Sequence, residues 1–220
     1  MALPGYGAIR AARNLAAALV ISAAPAAADV SIAALGDSLT QGYGLPPEDG
    51  FVPQLQRWLD AQGAEATILN AGVSGDTTQG GLARVDWTLT PDVDALIVAL
   101  GGNDLLRGID PAVARANLDG ILKAAAGRGL PVLLVGMTAP GNYGADYKAA
   151  FDAIYPDVAE EYGALLHPDF LGALAALDDR TAAMRTYMQP DGLHPSAAGV
   201  ARIVEDIGPS VLALIERTRD

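Results

Sequence analysis

The chain has 220 residues, 51% of them apolar and 18% charged. That is enough for one α/β domain with a sizeable core, and too apolar for a disordered segment. Its 26 Asp and Glu against 14 Lys and Arg leave a formal charge of −12, a field that repels nucleic acid and anionic membrane surfaces. With no cysteine, a thiol nucleophile, a disulfide framework, a thiolate metal site and an acylated-cysteine anchor are excluded.

Residues 1–28 read as a signal peptide, and residues 29–220 as a single domain. Arg10 and Arg13 form a basic start, and the apolar stretch from Leu15 to Ala24 is short for a membrane span. Pro25-Ala26-Ala27-Ala28 then offers small residues for cleavage, with Asp29 as the expected mature start and no anchor afterwards. Buried strands are expected at Val30–Leu35, Ala66–Leu69, Ala95–Leu100, Pro131–Val135 and Ala164–Leu166, because continuous apolar runs of this length suit strands covered on both faces. Helices are expected between them: Phe51–Gln62, Thr77–Leu89, one opened by Asp110-Pro111 and running to Ala126, Tyr147–Tyr162, and one from Pro195 to Arg217. Alternating strand and helix implies an α/β fold with a parallel sheet between two helical layers.

In such a sheet ligands bind beyond the carboxyl ends of the strands. Four polar, glycine-rich clusters occupy those positions: Gly36-Asp37-Ser38-Leu39-Thr40, Asn70-Ala71-Gly72-Val73-Ser74-Gly75-Asp76, Gly101-Gly102-Asn103-Asp104, and Asp191-Gly192-Leu193-His194-Pro195. A serine hydroxyl needs a base to take its proton, and the chain has two histidines, His167 and His194. Asp191, three residues before His194, is spaced to orient one ring nitrogen while the other faces outward, as a Ser-His-Asp triad requires. The Ser38 and Gly75 N–H groups and the Asn103 amide are the candidate oxyanion donors.

These four blocks resemble those of the SGNH, or GDSL, hydrolases, whose eponymous residues correspond here to Ser38, Gly75, Asn103 and His194. The likeness is strongest to the periplasmic multifunctional esterases with thioesterase, lysophospholipase and arylesterase activity, through Asn70–Val85 and Gly141–Tyr155. The resemblance implies a flavodoxin-like, five-stranded parallel sheet of order 2-1-3-4-5, catalysis by Ser38, Asp191 and His194, and neither metal nor cofactor. The expected partner is a small acyl ester or thioester, and the expected state a monomer in the periplasm or outside the cell. The G-x-S-x-G elbow, the P-loop and an early G-x-G-x-x-G are absent, which argues against an ordinary α/β-hydrolase and against nucleotide binding.

The other residues of these blocks read as structural. Asp37 holds its turn, Asp104 binds backbone N–H groups across the rim, Asp76 shapes its loop, and His167 has no serine near it in sequence. Asn142-Tyr143-Gly144 reads either as acyl-channel lining or as a polar loop. Two alternatives stand beside the esterase: a carbohydrate O-acetylesterase on the same fold, and a non-catalytic binding module.

Overall fold

The computed structural model describes residues 29–219 together with Met1. The signal-peptide reading of residues 1–28 therefore falls outside the described residues apart from Met1. The strands are β1 (Val30–Gly36), β2 (Ala66–Gly72), β3 (Ala95–Ala99), β4 (Val132–Val135) and β5 (Leu165–His167). They form one parallel sheet in the order β2-β1-β3-β4-β5. The helices are α1 (Ser38–Gln41), α2 (Phe51–Ala61), α3 (Thr78–Thr88), α4 (Gly102–Leu106), α5 (Pro111–Ala126), α6 (Ala145–Asp152), α7 (Ile154–Tyr162), α8 (Gly172–Ala175), α9 (Arg180–Tyr187) and α10 (Ala197–Arg217). On one side α2 and α10 pack together, with α8 and α9 against α10; on the other, α3, α5 and α7 form the second layer.

The middle of the sheet is apolar because both faces are covered there, whereas the edge strands β2 and β5, expected to be buried, expose Leu69 and Leu166. Every residue of β3 and β4 is buried, and Ile32, Leu96, Val98, Leu133 and Leu134 have no exposed surface. The first crossover places β2 on one side of β1, and the second places β3 on the other. The chain thus reverses direction across the sheet at β1, where a crevice opens beyond the strand ends. The register sets those ends level: Gly36 of β1 faces Gly72 of β2 and Ala99 of β3. The three turns that follow start side by side.

β2 runs on to Gly72 past the expected Leu69, most other ends shift by a residue, and two helices depart further from the sequence expectation. The helix expected over Tyr147–Tyr162 is broken into α6 and α7 at Ala153, because Pro156, in the first turn of α7, has no N–H to continue the ladder from Asp152. The last helix opens at Ala197, not Pro195. Ser196 is its N-cap, accepting the Gly199 N–H at 3.2 Å, while Pro195 bridges back to Met188. Asp110 and Pro111 cap α5 as expected, the Asp110 carboxylate accepting the Ala112 N–H at 2.8 Å.

Candidate active site

The turn after β1 carries Ser38 as the first residue of the one-turn helix α1. Asp37 is its N-cap and is nearly fully buried, with Oδ1 accepting the Leu39 N–H at 3.0 Å. The loop before α10 brings His194 against it: His194 Nε2 lies 2.9 Å from Ser38 Oγ. The other ring nitrogen, Nδ1, lies 2.6 Å from Asp191 Oδ2. Asp191 Oδ1 accepts the N–H groups of Leu193 and His194 at 2.9 and 3.0 Å, so the three-residue spacing folds into a turn around one carboxylate. The imidazole side-chain hydrogen bond, then these backbone N–H groups, hold the Asp191 carboxyl down to about 2. It stays ionised, and an ionised carboxylate at Nδ1 fixes the tautomer that presents a bare Nε2 to the serine. Tyr43 packs its ring on the imidazole at 4.7 Å between centroids. Gln189 ties the two loops together, its amide donating to the Tyr43 and Pro195 carbonyls at 2.8 and 2.9 Å.

The turn after β3 is drawn tight by its glycine. Gly101 has φ of +122°, and a Cβ there would meet the Tyr155 hydroxyl at 2.1 Å. That hydroxyl, wholly buried, donates to the Leu100 carbonyl at 2.9 Å, and burial pushes its pKa up. Asp104 is fully buried and does what its sequence position suggested. Its carboxylate accepts the Thr78 N–H at 2.8 Å and the Thr78 hydroxyl at 2.6 Å, stitching the third turn to the start of α3.

Of the expected oxyanion donors, Ser38, Gly75 and Asn103 all line one cleft with His194. Among the described residues, no protein acceptor pairs with the backbone N–H of Ser38 or of Gly75. The Asn103 amide is different: it donates to the Asp76 carbonyl at 2.9 Å and, at a longer 3.2 Å, to Asp37 Oδ2. Burial raises the Asp37 carboxyl to about 6, against the lowering effect of the Leu39 N–H, the Asn103 amide and His194.

The cleft has a volume of about 440 Å³ and a mostly apolar wall that includes Leu39, Leu105, Met137, Leu171 and Leu193. Asn142 and Tyr143 line it as well, whereas Gly144 does not. His167 is elsewhere, at the end of β5, 3.5 Å from Asp206 and 3.4 Å from Ser210. Among the described residues no group of three or more His, Cys, Asp or Glu is arranged to hold a metal ion.

Three site residues carry no signal in the sequence: Gln189, Arg84 and Arg107. Arg84 donates to the Gly36 and Ala71 carbonyls at 2.8 and 2.7 Å and to the Asp76 carboxylate at 2.6 Å, tying the ends of β1 and β2 to the glycine loop. Arg107 donates to the Gly75 carbonyl at 2.8 Å. Each makes at least one fold contact across 30 or more residues, Gln189 to Tyr43, Arg84 to Gly36 and Arg107 to Gly75, and no short motif marks such a contact.

Residues 34–202 match the GDSL-like Lipase/Acylhydrolase family. The chain is 38% identical over 199 residues to the esterase TesA of Pseudomonas aeruginosa, spanning 90% of this chain and 95% of the relative. It is 35% identical over 179 residues to the thioesterase 1/protease 1/lysophospholipase L1 of Escherichia coli K12, spanning 81% of each. The crystal structure of AlinE4, an SGNH-hydrolase family esterase, superposes with a TM-score of 0.68 at 46% identity, covering 84% of this chain and 96% of AlinE4. The chain belongs to the GDSL-like lipase/acylhydrolase, or SGNH hydrolase, family and is a serine ester hydrolase.

Proposed function

We propose that this protein hydrolyses carboxylic esters and thioesters of apolar acyl chains through an acyl-enzyme on Ser38, without metal or cofactor. One observation carries the reading: the continuous relay from Asp191 Oδ2 through His194 to Ser38 Oγ, 2.6 and 2.9 Å long, at the wall of an apolar cleft.

In this mechanism Ser38 Oγ attacks the acyl carbonyl as His194 Nε2 takes its proton. The imidazolium is stabilised by Asp191. The tetrahedral intermediate collapses with cleavage of the C–O or C–S bond, and His194 returns the proton to the leaving alcohol or thiol. Water, deprotonated by His194, then attacks the acyl-enzyme and releases the acid. The oxyanion is met by the Ser38 and Gly75 N–H groups and by Asn103, which gives up its longer bond to Asp37.

The apolar wall suits a hydrocarbon tail better than a sugar, which favours acyl esters over carbohydrate acetates as substrates. The thioesterase name of the Escherichia coli relative supports thioesters as part of the range. The basic and apolar N-terminal stretch supports export, with cleavage before Asp29.

The test is a series of p-nitrophenyl esters and acyl-CoAs, from acetyl to palmitoyl, against the mature wild type and Ser38→Ala. The wild type is expected to turn over chains longer than acetyl, and Ser38→Ala to lose about three orders of magnitude or more in kcat. A wild type confined to acetyl esters, or a Ser38→Ala variant that keeps its rate, contradicts the reading.

A further inference from the structure

The glycine loop that offers the Gly75 N–H has little of its own to hold it. Gly75 is exposed, has φ of +83°, and carries no side chain. A Cβ built there would come near one atom alone, Arg107 Nη2 at 3.8 Å. Inside the loop the Asp76 N–H bonds back to the Val73 carbonyl at 3.1 Å. Glycine has the widest backbone freedom of any residue, so a loop of this kind keeps one orientation of its N–H only when something outside fixes it.

Arg84 holds the Asp76 carboxylate at 2.6 Å and Ser74 Oγ donates to Gln41 at 2.9 Å, but the Gly75 and Asp76 carbonyls are held by two side chains from the neighbouring turn. Asn103 donates to the Asp76 carbonyl at 2.9 Å and Arg107 to the Gly75 carbonyl at 2.8 Å. The two residues are four apart, and the Arg107 N–H bonds to the Asn103 carbonyl at 3.1 Å, so α4 winds on through Arg107. Positions four apart on a helix share a face. One face of one helical turn therefore grips two successive carbonyls of the facing loop. Fixing the Gly75 carbonyl limits ψ at that residue, and fixing the next peptide limits what remains. The 75–76 peptide is thus held at its N–H by Val73 and at its carbonyl by Arg107, which narrows the freedom of the adjoining peptide that carries the Gly75 N–H at the cleft wall.

We propose that Arg107 is a positioning residue for the oxyanion site: its guanidinium clamps the Gly75 carbonyl and so pre-orients the Gly75 N–H. This rests on the reading of Gly75 as an oxyanion donor. Arg107 touches neither Ser38 nor His194 in this arrangement and acts through the loop. Its influence falls on the transition state, where charge has formed on the oxygen, and not on the resting substrate. A lysine keeps the charge and loses the rigid planar fork that meets a carbonyl at a set angle.

The experiment is steady-state kinetics of Arg107→Ala and Arg107→Lys on a neutral p-nitrophenyl ester and on an acyl-CoA, with Ser38→Ala as control. Arg107→Ala should lose about 10- to 100-fold in kcat on both substrates, a fraction of what deleting a whole oxyanion donor costs, with KM changed less than about twofold. A trifluoromethyl ketone, which forms the tetrahedral adduct, should lose affinity by the same factor. Guanidinium at low, non-denaturing concentration should restore part of the alanine variant's rate, and Arg107→Lys should remain impaired.

A wild-type kcat in Arg107→Ala overturns the proposal. So does a loss confined to KM for the acyl-CoA, which marks a contact with the anionic substrate. A loss that guanidinium does not relieve and that follows a lowered melting temperature marks a purely structural role and also overturns it. If Ser38→Ala stays active, the esterase reading itself fails. If Ser38→Ala is inactive and Arg107→Ala is not, the clamp alone fails.

Discussion

At the scale of single residues, Asp37 sits where two requirements conflict. It caps the helix that begins with Ser38 and receives the Asn103 amide, yet it is 2% exposed and burial raises its carboxyl to about 6. A raised carboxyl favours folding in its neutral form. Its stabilising contribution is therefore full below the ordinary value of 3.8 and is lost as pH rises through about 6. The size is about 3 kcal/mol, from a displacement of roughly two pH units. Asp37→Asn removes this titration but sets an N–H against one of its two donors, Leu39 or Asn103. We expect the stability of the wild type relative to Asp37→Asn to fall between about pH 4 and pH 7 in urea unfolding, by an amount of that order, and kcat of the variant to drop about tenfold. A stability difference that is flat with pH would show that Asp37 is solvated and unperturbed.

The residues of the proposed triad were legible in the sequence because the proposed chemistry demands them by type. One serine in a turn after a strand, and one histidine with an aspartate three residues earlier, are short-range patterns, and the structure brings Ser38, His194 and Asp191 into hydrogen-bond distance. The engagement of the Asn103 amide by Asp37 and Asp76 was not legible, since it depends on two turns that meet only in the folded sheet. The same holds for Arg84, whose three partners lie on different loops and strands.

At the scale of elements, the long apolar strands were readable from composition, and the short helices were not. α1, α4 and α8 are single turns whose formation depends on the loops they occupy. The packing of α2 on α10 is equally hidden. Gly208 of α10 lies under the ring of Trp58 from α2, and a Cβ there would fall 2.6 Å from the ring. This is a close approach that only a missing side chain permits. Gly208→Ala should therefore destabilise the fold by about 1–3 kcal/mol through overpacking, despite alanine's better helix propensity. Thermal unfolding reads this directly, with kcat unchanged because the pair is remote from Ser38. Trp58→Leu in the same chain should recover most of the loss, a coupling of the kind expected for residues in contact. An alanine variant as stable as the wild type would mean that the two helices slide apart at little cost.

At the scale of the whole molecule, the charge of −12 and the apolar cleft divide the labour of recognition. The surface field works against polyanionic partners, and on the proposed reading the cleft would supply affinity through buried hydrocarbon, about 0.8 kcal/mol for each methylene taken from water. Among the described residues no helix is long and apolar enough to cross a membrane. The export reading rests on residues 1–28, and N-terminal sequencing of protein from outside the cytoplasm should begin at Asp29. A chain that retains Met1 on the membrane would replace export by anchoring. Activity is expected to fall in acid, because only a neutral imidazole takes the Ser38 proton, and to persist in chelator.

The central claim is that Ser38 forms the covalent intermediate with His194 as its base, and fluorophosphonate labelling followed by peptide mass spectrometry tests it most directly. The wild type should take up one equivalent, on Ser38 alone, with loss of all esterase activity in step with labelling; His194→Ala should label slower by about three orders of magnitude. Adduct on Ser74 or Ser196, or full labelling of Ser38 with the hydrolytic rate intact, would contradict it.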